Sequence, residues 1–387
     1  MCRFWKQGVA LLAVAAGLWC LSPTLAKPPG GGGGNSPSYT IVKLDDANGA
    51  YSDGIALGIN NRINNLTEVV GYVHDPALGG ALRAACWELA TSGGTIRSTL
   101  SILNGIPDVV EPSDAYAVND AGEIVGLGFE PGGEEGLALY WSGANAIPLL
   151  LPPLAGDNES IALAINIDGV ICGRSNIRGG VHRAVVWRIN LIGGSPVVWG
   201  PVALPDTGAG SRAYSMNDND SFGVAAVSGV DDGAAVVWSV QSLADGSLTV
   251  SPIPIIFDDG AEANGINDAD TACGYLYGTT VEAVVWTGSS RRILNRAKFV
   301  TEAYASDINN NGAIVGTGHY RRNFDVGDRA VVWPSATSSM ILLDKFLVSS
   351  PFTTLLQAEA VNDQGQIAGW GWMGGVAQYG AFVAVPK

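Results

Sequence analysis

A segment that recurs seven times constrains this chain more than any single motif. Its second copy, Ala115 to Trp141, opens with AYAVNDAGEIVGLG and closes with LALYW. Aligned on the Asn, the copies fall at Asn60, Asn119, Asn166, Asn217, Asn267, Asn309 and Asn362. Each has an Ala four residues earlier: Ala56, Ala115, Ala162, Ala213, Ala263, Ala305 and Ala358. Two alternating runs flanking Asn119-Asp120-Ala121-Gly122 predict a β-hairpin, because Asn and Asp side chains fold back onto a turn's backbone. The residue three places after the Asn is Gly122, Gly169, Asp220, Asp270, Gly312 or Gly365 in copies two to seven, types that accept a left-handed turn position. Copy one departs through a longer loop, Arg62-Ile63-Asn64-Asn65. Copy four reaches Gly223 one residue early, which predicts an irregular second strand.

The second half of each copy adds a third strand, apolar on both faces: Ala84 to Trp87, Ala138 to Trp141, Ala184 to Trp187, Ala235 to Trp238, Ala283 to Trp286, Ala330 to Trp333 and Ala381 to Ala384. Such strands are central ones, covered on both sides. A fourth candidate follows most of them, as at Ala146 to Leu151, Val197 to Leu204, Leu248 to Phe257, Arg292 to Ala297 and Met340 to Phe346. Four strands per copy is a propeller blade, and the expected fold is an all-β, seven-bladed β-propeller. A β-solenoid is the alternative, disfavoured because successive Asn positions lie 42 to 59 residues apart. Tyr39 to Leu44 is a strand belonging to no complete copy, and the seventh copy stops at its third strand. The two ends are therefore expected to pair, closing the ring and covering an open edge.

Residues 1–26 carry Arg3 and Lys6, an apolar run from Gly8 to Leu21 and small residues at Thr24 and Ala26, the pattern of a secretory signal peptide. Residues 27–38 (KPPGGGGGNSPS) form a linker with nothing to bury, and 39–387 form the repeat domain. The formal net charge is −15, and removing Arg3 and Lys6 makes it −17, which opposes nucleic-acid partners and anionic lipid surfaces. Cys86, Cys172 and Cys273 occupy apolar strand positions in separate blades and are read as small core residues, not disulfide partners.

The module resembles the HAF repeat of bacterial extracellular proteins, named for His-Ala-Phe and preceded by Ile-Asn-x-x-Gly-x-Val-x-Gly. Val118-Asn119 to Gly126, Ile308-Asn309 to Gly316 and Val361-Asn362 to Gly369 carry the upstream part, and Ala381-Phe382 keeps the Ala-Phe. The resemblance spans about residues 50 to 385. It departs at the His, which is Arg83, Leu137, Arg183, Ala234, Glu282, Arg329 or Gly380 here. It implies export and brings no catalytic residues.

Aromatic and His residues cluster just after the second strand's Gly: Tyr72, His74, Phe129, Tyr275, Tyr277, His319, Tyr320, Trp370 and Trp372. They are candidates for one ligand-binding face, since flat rings beside polar groups stack on sugars or grip a protein loop. The competing reading is blade packing, and for the Trp series Trp87, Trp141, Trp187, Trp238, Trp286 and Trp333 packing between blades is expected outright. Asn217-Asp218-Asn219-Asp220 and Asn267-Asp268-Ala269-Asp270 offer spaced oxygen ligands for calcium but lack a distant bidentate Glu, so the acids are read as turn formers and no cofactor is expected. His74, His182 and His319 lie in three different blades, and their spacing shows no convergence on a metal. No nucleophile elbow, phosphate loop or zinc-protease motif is present. Glu130, Glu134 and Glu135 are the loop carboxylates a glycosidase reading would use.

The sequence thus leads to an expected exported, monomeric, non-catalytic protein that binds a glycan or a protein at the cell exterior. The alternatives are a carbohydrate-active enzyme with loop carboxylates at the propeller mouth and a structural surface protein without a tight ligand.

Overall fold

A computed structural model describes residues 37–387, apart from 63–65, 94, 107–111, 130–135, 207, 209, 219–223, 232, 244, 252–254, 349 and 376–377. The expected signal peptide, most of the linker, the copy-one loop at 63–65, the copy-four turn at 219–223 and the three loop glutamates lie outside the described residues.

Seven antiparallel sheets form a ring. In each, the strands are hydrogen-bonded in chain order, and the first strands of neighbouring blades contact one another around a central channel. These first strands are Ser52–Ile59, Ser113–Val118, Glu159–Ile165, Ser211–Met216, Ala261–Ile266, Val300–Ile308 and Phe352–Val361. Blade seven takes its outermost strand from the start of the chain. Tyr39–Lys43 pairs antiparallel with Tyr379–Pro386, Tyr39 opposite Pro386 and Lys43 opposite Phe382. The propeller and its closure by the N-terminal strand are as expected.

The repeated Ala and Gly have a common cause. In all seven blades the pairing of first and second strands shifts register immediately after the Ala, leaving one extra residue on the first strand. Such a bulge bends the strand and re-aims the inserted side chain. The residue opposite the Ala is always Gly: Gly71, Gly126, Gly173, Gly229, Gly274, Gly316 or Gly369. A Cβ at any of these would lie 1.9 to 2.1 Å from the carbonyl oxygen of the residue preceding the Ala, so only Gly lets the two backbones approach.

The Asn does more than shape its own turn. Asn119 Oδ1 accepts from the backbone N–H of Ala121 and Glu123, and Asn166, Asn267 and Asn309 repeat the pattern. Each Asn Nδ2 then donates to the backbone carbonyl of the next blade's Asn. The relay runs from Asn60 through Asn119, Asn166, Asn217, Asn267, Asn309 and Asn362 back to Asn60, at 2.8 to 3.4 Å. All seven are buried, and their polar groups are satisfied by this circle. A parallel tier joins the next residue of each turn, backbone N–H to side-chain oxygen, through Asn61, Asp120, Asp218, Asp268, Asn310 and Asp363. Ile167, which has no side-chain acceptor, interrupts that tier between Asp120 and Asp218. In the turns, Gly122, Gly169, Gly312 and Gly365 have positive φ, and Asp270 takes φ 53° in their place, which bears out the turn-former reading there.

The core lies between blades. Each of the six Trp is fully buried among residues of its own and the preceding blade, as Trp141 is among Val70, Ala84, Cys86 and Leu103. Each indole Nε1 donates across the same boundary, to Asp45 O, Asn104 O, Pro152 O, Pro205 O, Asp258 Oδ2 and Asn295 O in turn. Cys86, Cys172 and Cys273 are free and buried.

The fourth strands are less regular than expected. The stretch expected at Leu248 to Phe257 is split into Leu248–Val250 and Ile255–Asp259, both on the third strand of blade four. The stretch from Met340 to Phe346 is a two-residue strand followed by a 3-10 turn at Leu343–Phe346. Outer strands have one neighbour only, so propensity and turn chemistry prevail there. In copy four, Val224–Asp231 pairs continuously with the third strand, so the irregularity expected from Gly223 does not reach its ladder.

Candidate functional site

The channel has two unlike ends. The hairpin-turn end carries the Asn circle. At the other end, first strands begin and second strands finish, and here the bulges set the chemistry. The inserted residues Leu57, Tyr116, Leu163, Tyr214, Asn264, Ser306 and Glu359 all line a channel of about 300 Å³. Two residues earlier on the same strands stand Asp114, Arg212, Glu262, Tyr304 and Gln357, with Arg174, Tyr275 and Trp370 opposite on second strands.

Two of these mouth groups, Arg174 and Arg212, converge on His182, in the loop before the third strand of blade three. Arg174 Nη1 lies 2.5 Å from His182 Nδ1 and 3.0 Å from Nε2, and Arg212 Nε donates to Nδ1 at 2.7 Å. Burial and the two guanidinium charges push the imidazole pKa down to about 4, so His182 is neutral at ordinary pH. Burial and Arg212 lower the pKa of Arg174 in turn. Tyr214 interacts electrostatically with both Arg212 and Glu262, which links the network to blade five.

There Glu262 accepts from Tyr277 Oη at 2.6 Å, and Tyr277 Oη lies 3.4 Å from Tyr275 Oη. Tyr275 stands edge-on to Tyr304 at 5.1 Å and shares with it a recess of about 330 Å³, lined also by Glu302, His319 and Asp328. His319 Nδ1 is 3.0 Å from Asp328 Oδ1. On the other side of His182, Tyr116 donates to Asp114 Oδ2 at 3.3 Å. Asp114 Oδ1 is buried without a hydrogen-bond partner among the described residues, and burial raises the carboxyl pKa to about 6. Burial raises the phenols of Tyr116 and Tyr214 above their ordinary range, so both hydroxyls are protonated donors.

The aromatic candidates read from the sequence all lie at this end, but they do not form one patch. Tyr275, Tyr277 and His319 belong to the mouth. Tyr72 and His74 pack against each other at 6.2 Å on blade one. Trp370 donates to Glu359 Oε1 at 3.0 Å and packs edge-on to Tyr379, on which the half-exposed Trp372 also lies at 4.2 Å. Tyr320 turns outward against Phe299, beneath Arg329. Phe129 ends the second strand of blade two. Sequence reasoning missed Arg174, Arg212, Tyr116, Tyr214 and Glu262. For all of these but Arg174 the signal was present in the repeat itself: three and five residues before each Asn, positions that are apolar in some copies carry Tyr, Arg, Glu or Asp in others.

No family model matches the chain, and no curated protein matches it. Solved structures do resemble it. One is a polysaccharide lyase of a new family, an ulvan lyase, at 11% identity over 87% of this chain and 96% of that one, with a TM-score of 0.45. Another is a puromycin hydrolase, at 11% identity over 86% of this chain and 60% of its own, with a TM-score of 0.46. A third is a puromycin-hydrolysing peptidase of Mycobacterium tuberculosis, at 11% identity over 86% and 61%, with a TM-score of 0.47. The chain thus spans less than two thirds of either hydrolase. Each of these proteins is an enzyme by its description, which corrects the expectation of a non-catalytic binding protein. That expectation is not carried further. At this identity the likeness concerns fold, and the chemistry of the mouth rests on its own side chains. Among the described residues no helix is long and apolar enough to cross a membrane.

Proposed function

We propose that this chain is an exported carbohydrate-active enzyme that cleaves a carboxylate-bearing polysaccharide at the channel mouth by β-elimination. The observation that carries the reading is His182, held unprotonated between Arg174 and Arg212 within a rim of protonated tyrosines. Two adjacent guanidiniums with no carboxylate between them are a receptor for one. A uronate carboxylate entering there draws both into charge-assisted bonds and frees the imidazole lone pair they now face.

The steps balance within these groups. His182 takes the proton from the carbon next to the carboxylate, and Arg174 and Arg212 stabilise the negative charge that spreads onto the carboxylate oxygens. As the carbon–carbon double bond forms, the glycosidic C–O bond breaks, and the leaving oxygen takes a proton from Tyr116 or Tyr214. Proton return from His182 to the tyrosine restores the site. Export is supported by the charged, apolar and small-residue pattern of residues 1–26 and by the resemblance to the HAF repeat.

The test is incubation of the chain from Lys27 onward with polyuronates and with neutral polysaccharides, following reducing ends and the ultraviolet absorbance of the conjugated product separately. Both signals should rise together on a polyuronate and vanish in His182→Ala and Arg212→Ala. Reducing ends without new absorbance would refute elimination and favour hydrolysis, for which Asp114, with its pKa raised to about 6, is the acid the mouth offers.

A further inference from the structure

Beside the mouth, blade six carries a cationic and aromatic platform that the chemistry at His182 does not use. Phe299 is exposed and has two cations near its ring: Lys298 Nζ lies 4.9 Å from the ring centre and the Arg322 guanidinium 5.1 Å. Arg321 is tied to the same point, its backbone N–H donating to Phe299 O at 2.8 Å. One residue beyond Asn323, which takes φ 55°, Phe324 stands fully in solvent at the tip of the hairpin. Tyr320 packs on Phe299 and directly follows His319, which lines the recess, so the platform and the mouth are neighbours on blade six.

The charges here are unusual for this molecule. In a chain of net charge −15, nearby Arg296 and Arg329 are paired with Glu282, Asp325 and Asp344. Lys298, Arg321 and Arg322 make no ion pair among the described residues, and all three are exposed. Unpaired cations beside two exposed phenyl rings, one of them fully in solvent, match a chain whose units present an anionic group on one side and a ring of C–H bonds on another. Sugars bearing carboxylate or sulfate groups have that form. Duplex DNA, with about one charge per 1.7 Å and its base faces stacked inside, is repelled more strongly by the acidic molecule than a sugar chain with at most a charge or two per unit, and offers the phenyl rings less.

We infer that Lys298, Phe299, Arg321, Arg322 and Phe324 form an outer subsite that holds an anionic sugar unit of a long polysaccharide while another unit occupies the mouth. The inference rests on the proposed chemistry for its direction only, since the platform is a binding surface in its own right.

The experiment separates the two. The full chain carrying His182→Ala, so that nothing is cleaved, is run in native gels containing polygalacturonate, chondroitin sulfate, duplex DNA or neutral dextran. The two anionic polysaccharides should retard it, less so as salt rises, and dextran should not. The triple variant Lys298→Glu, Arg322→Glu, Phe324→Ser changes exposed side chains only and should melt like the parent, yet bind the anionic polysaccharides about tenfold more weakly. In the chain with His182 intact, the same variant should raise KM for the polymer and leave kcat/KM for a disaccharide unchanged. Equal retardation of triple variant and parent, equal retardation by dextran, or retardation by DNA alone would overturn the subsite. Patch-dependent retardation without cleavage of any polyuronate by the intact chain would leave the subsite standing and remove the proposed reaction.

Discussion

Replacing Asn309 by Asp tests the buried circle with a change of one atom. Asn309 Oδ1 accepts from Asn311 N at 3.1 Å and Ala313 N at 2.8 Å, and an Asp keeps both bonds. Nδ2, which donates to Asn362 O at 2.8 Å, becomes an oxygen facing an oxygen. The site is buried, so the ionised form loses a hydrogen bond and leaves a carbonyl unpaired, at about 2–4 kcal/mol. Alternatively the carboxyl stays protonated and donates in place of Nδ2. Relative to an unfolded pKa of about 3.9, that costs about 1.4 kcal/mol per pH unit, or about 4 kcal/mol at pH 7. The less costly route sets the deficit, so about 3 kcal/mol is expected at pH 7. The folded pKa is raised above the unfolded one, so the deficit is absent below about pH 4, grows as pH rises and levels off above the folded pKa. Urea unfolding of parent and variant at matched pH values between 4 and 7.5 gives the difference directly. Asn309→Ala, which loses all three bonds, should show a deficit that does not change with pH. A constant deficit in the Asp variant would refute the assigned donor role of Nδ2.

Other perturbations reach different parts of the fold. Gly126→Ala places a Cβ 2.0 Å from Asp114 O and should cost about 3 kcal/mol or more in thermal unfolding; an unchanged melting temperature would contradict the bulge geometry. Deleting the chain through Lys43 strips the outer strand from blade seven and exposes the edge of Tyr379–Pro386, so melting should fall sharply and self-association rise, as sedimentation would show. Proton resonances of His182 should titrate near pH 4, well below those of an ordinary His, and Arg212→Ala should move that titration upward. Because the folded His182 pKa is depressed, the group destabilises the fold as pH falls from about 6.5 toward 4, and His182→Gln should lessen that acid loss in melts taken across the same range.

The ring of blades was legible because its determinants are local and repeated. An Asn and an Ala four residues before it recur in all seven copies, and a Trp on the third strand recurs in six. The Asn also had a second job that a turn motif does not reveal, since its donor crosses to another blade 42 to 59 residues away. The outer strands at Leu248 to Phe257 and Met340 to Phe346 misled for the opposite reason: apolar composition marks burial but not a partner to pair with. The mouth was hardest to see. Arg174 and Arg212 are 38 residues apart on different blades and meet at His182 only because two neighbouring strands start and finish at the same end of the channel. In a repeat protein, invariant positions report the scaffold. Here the positions that changed, from Leu57 and Leu163 to Tyr116 and Tyr214, carry the chemistry.

The hub bears no mark of where the polypeptide starts. Every Asn gives to one neighbour and receives from the other, so the circle has a direction but no first member. Ser38 and Lys387 meet at the rim of blade seven, where Lys387 N donates to Ser38 O at 2.9 Å. A short peptide joining those two residues would make the backbone continuous, and the chain could then be opened between any other two blades. Such circular permutants would keep the same axis, the same mouth and the same order of neighbours, with each blade boundary serving equally well as the place to begin synthesis.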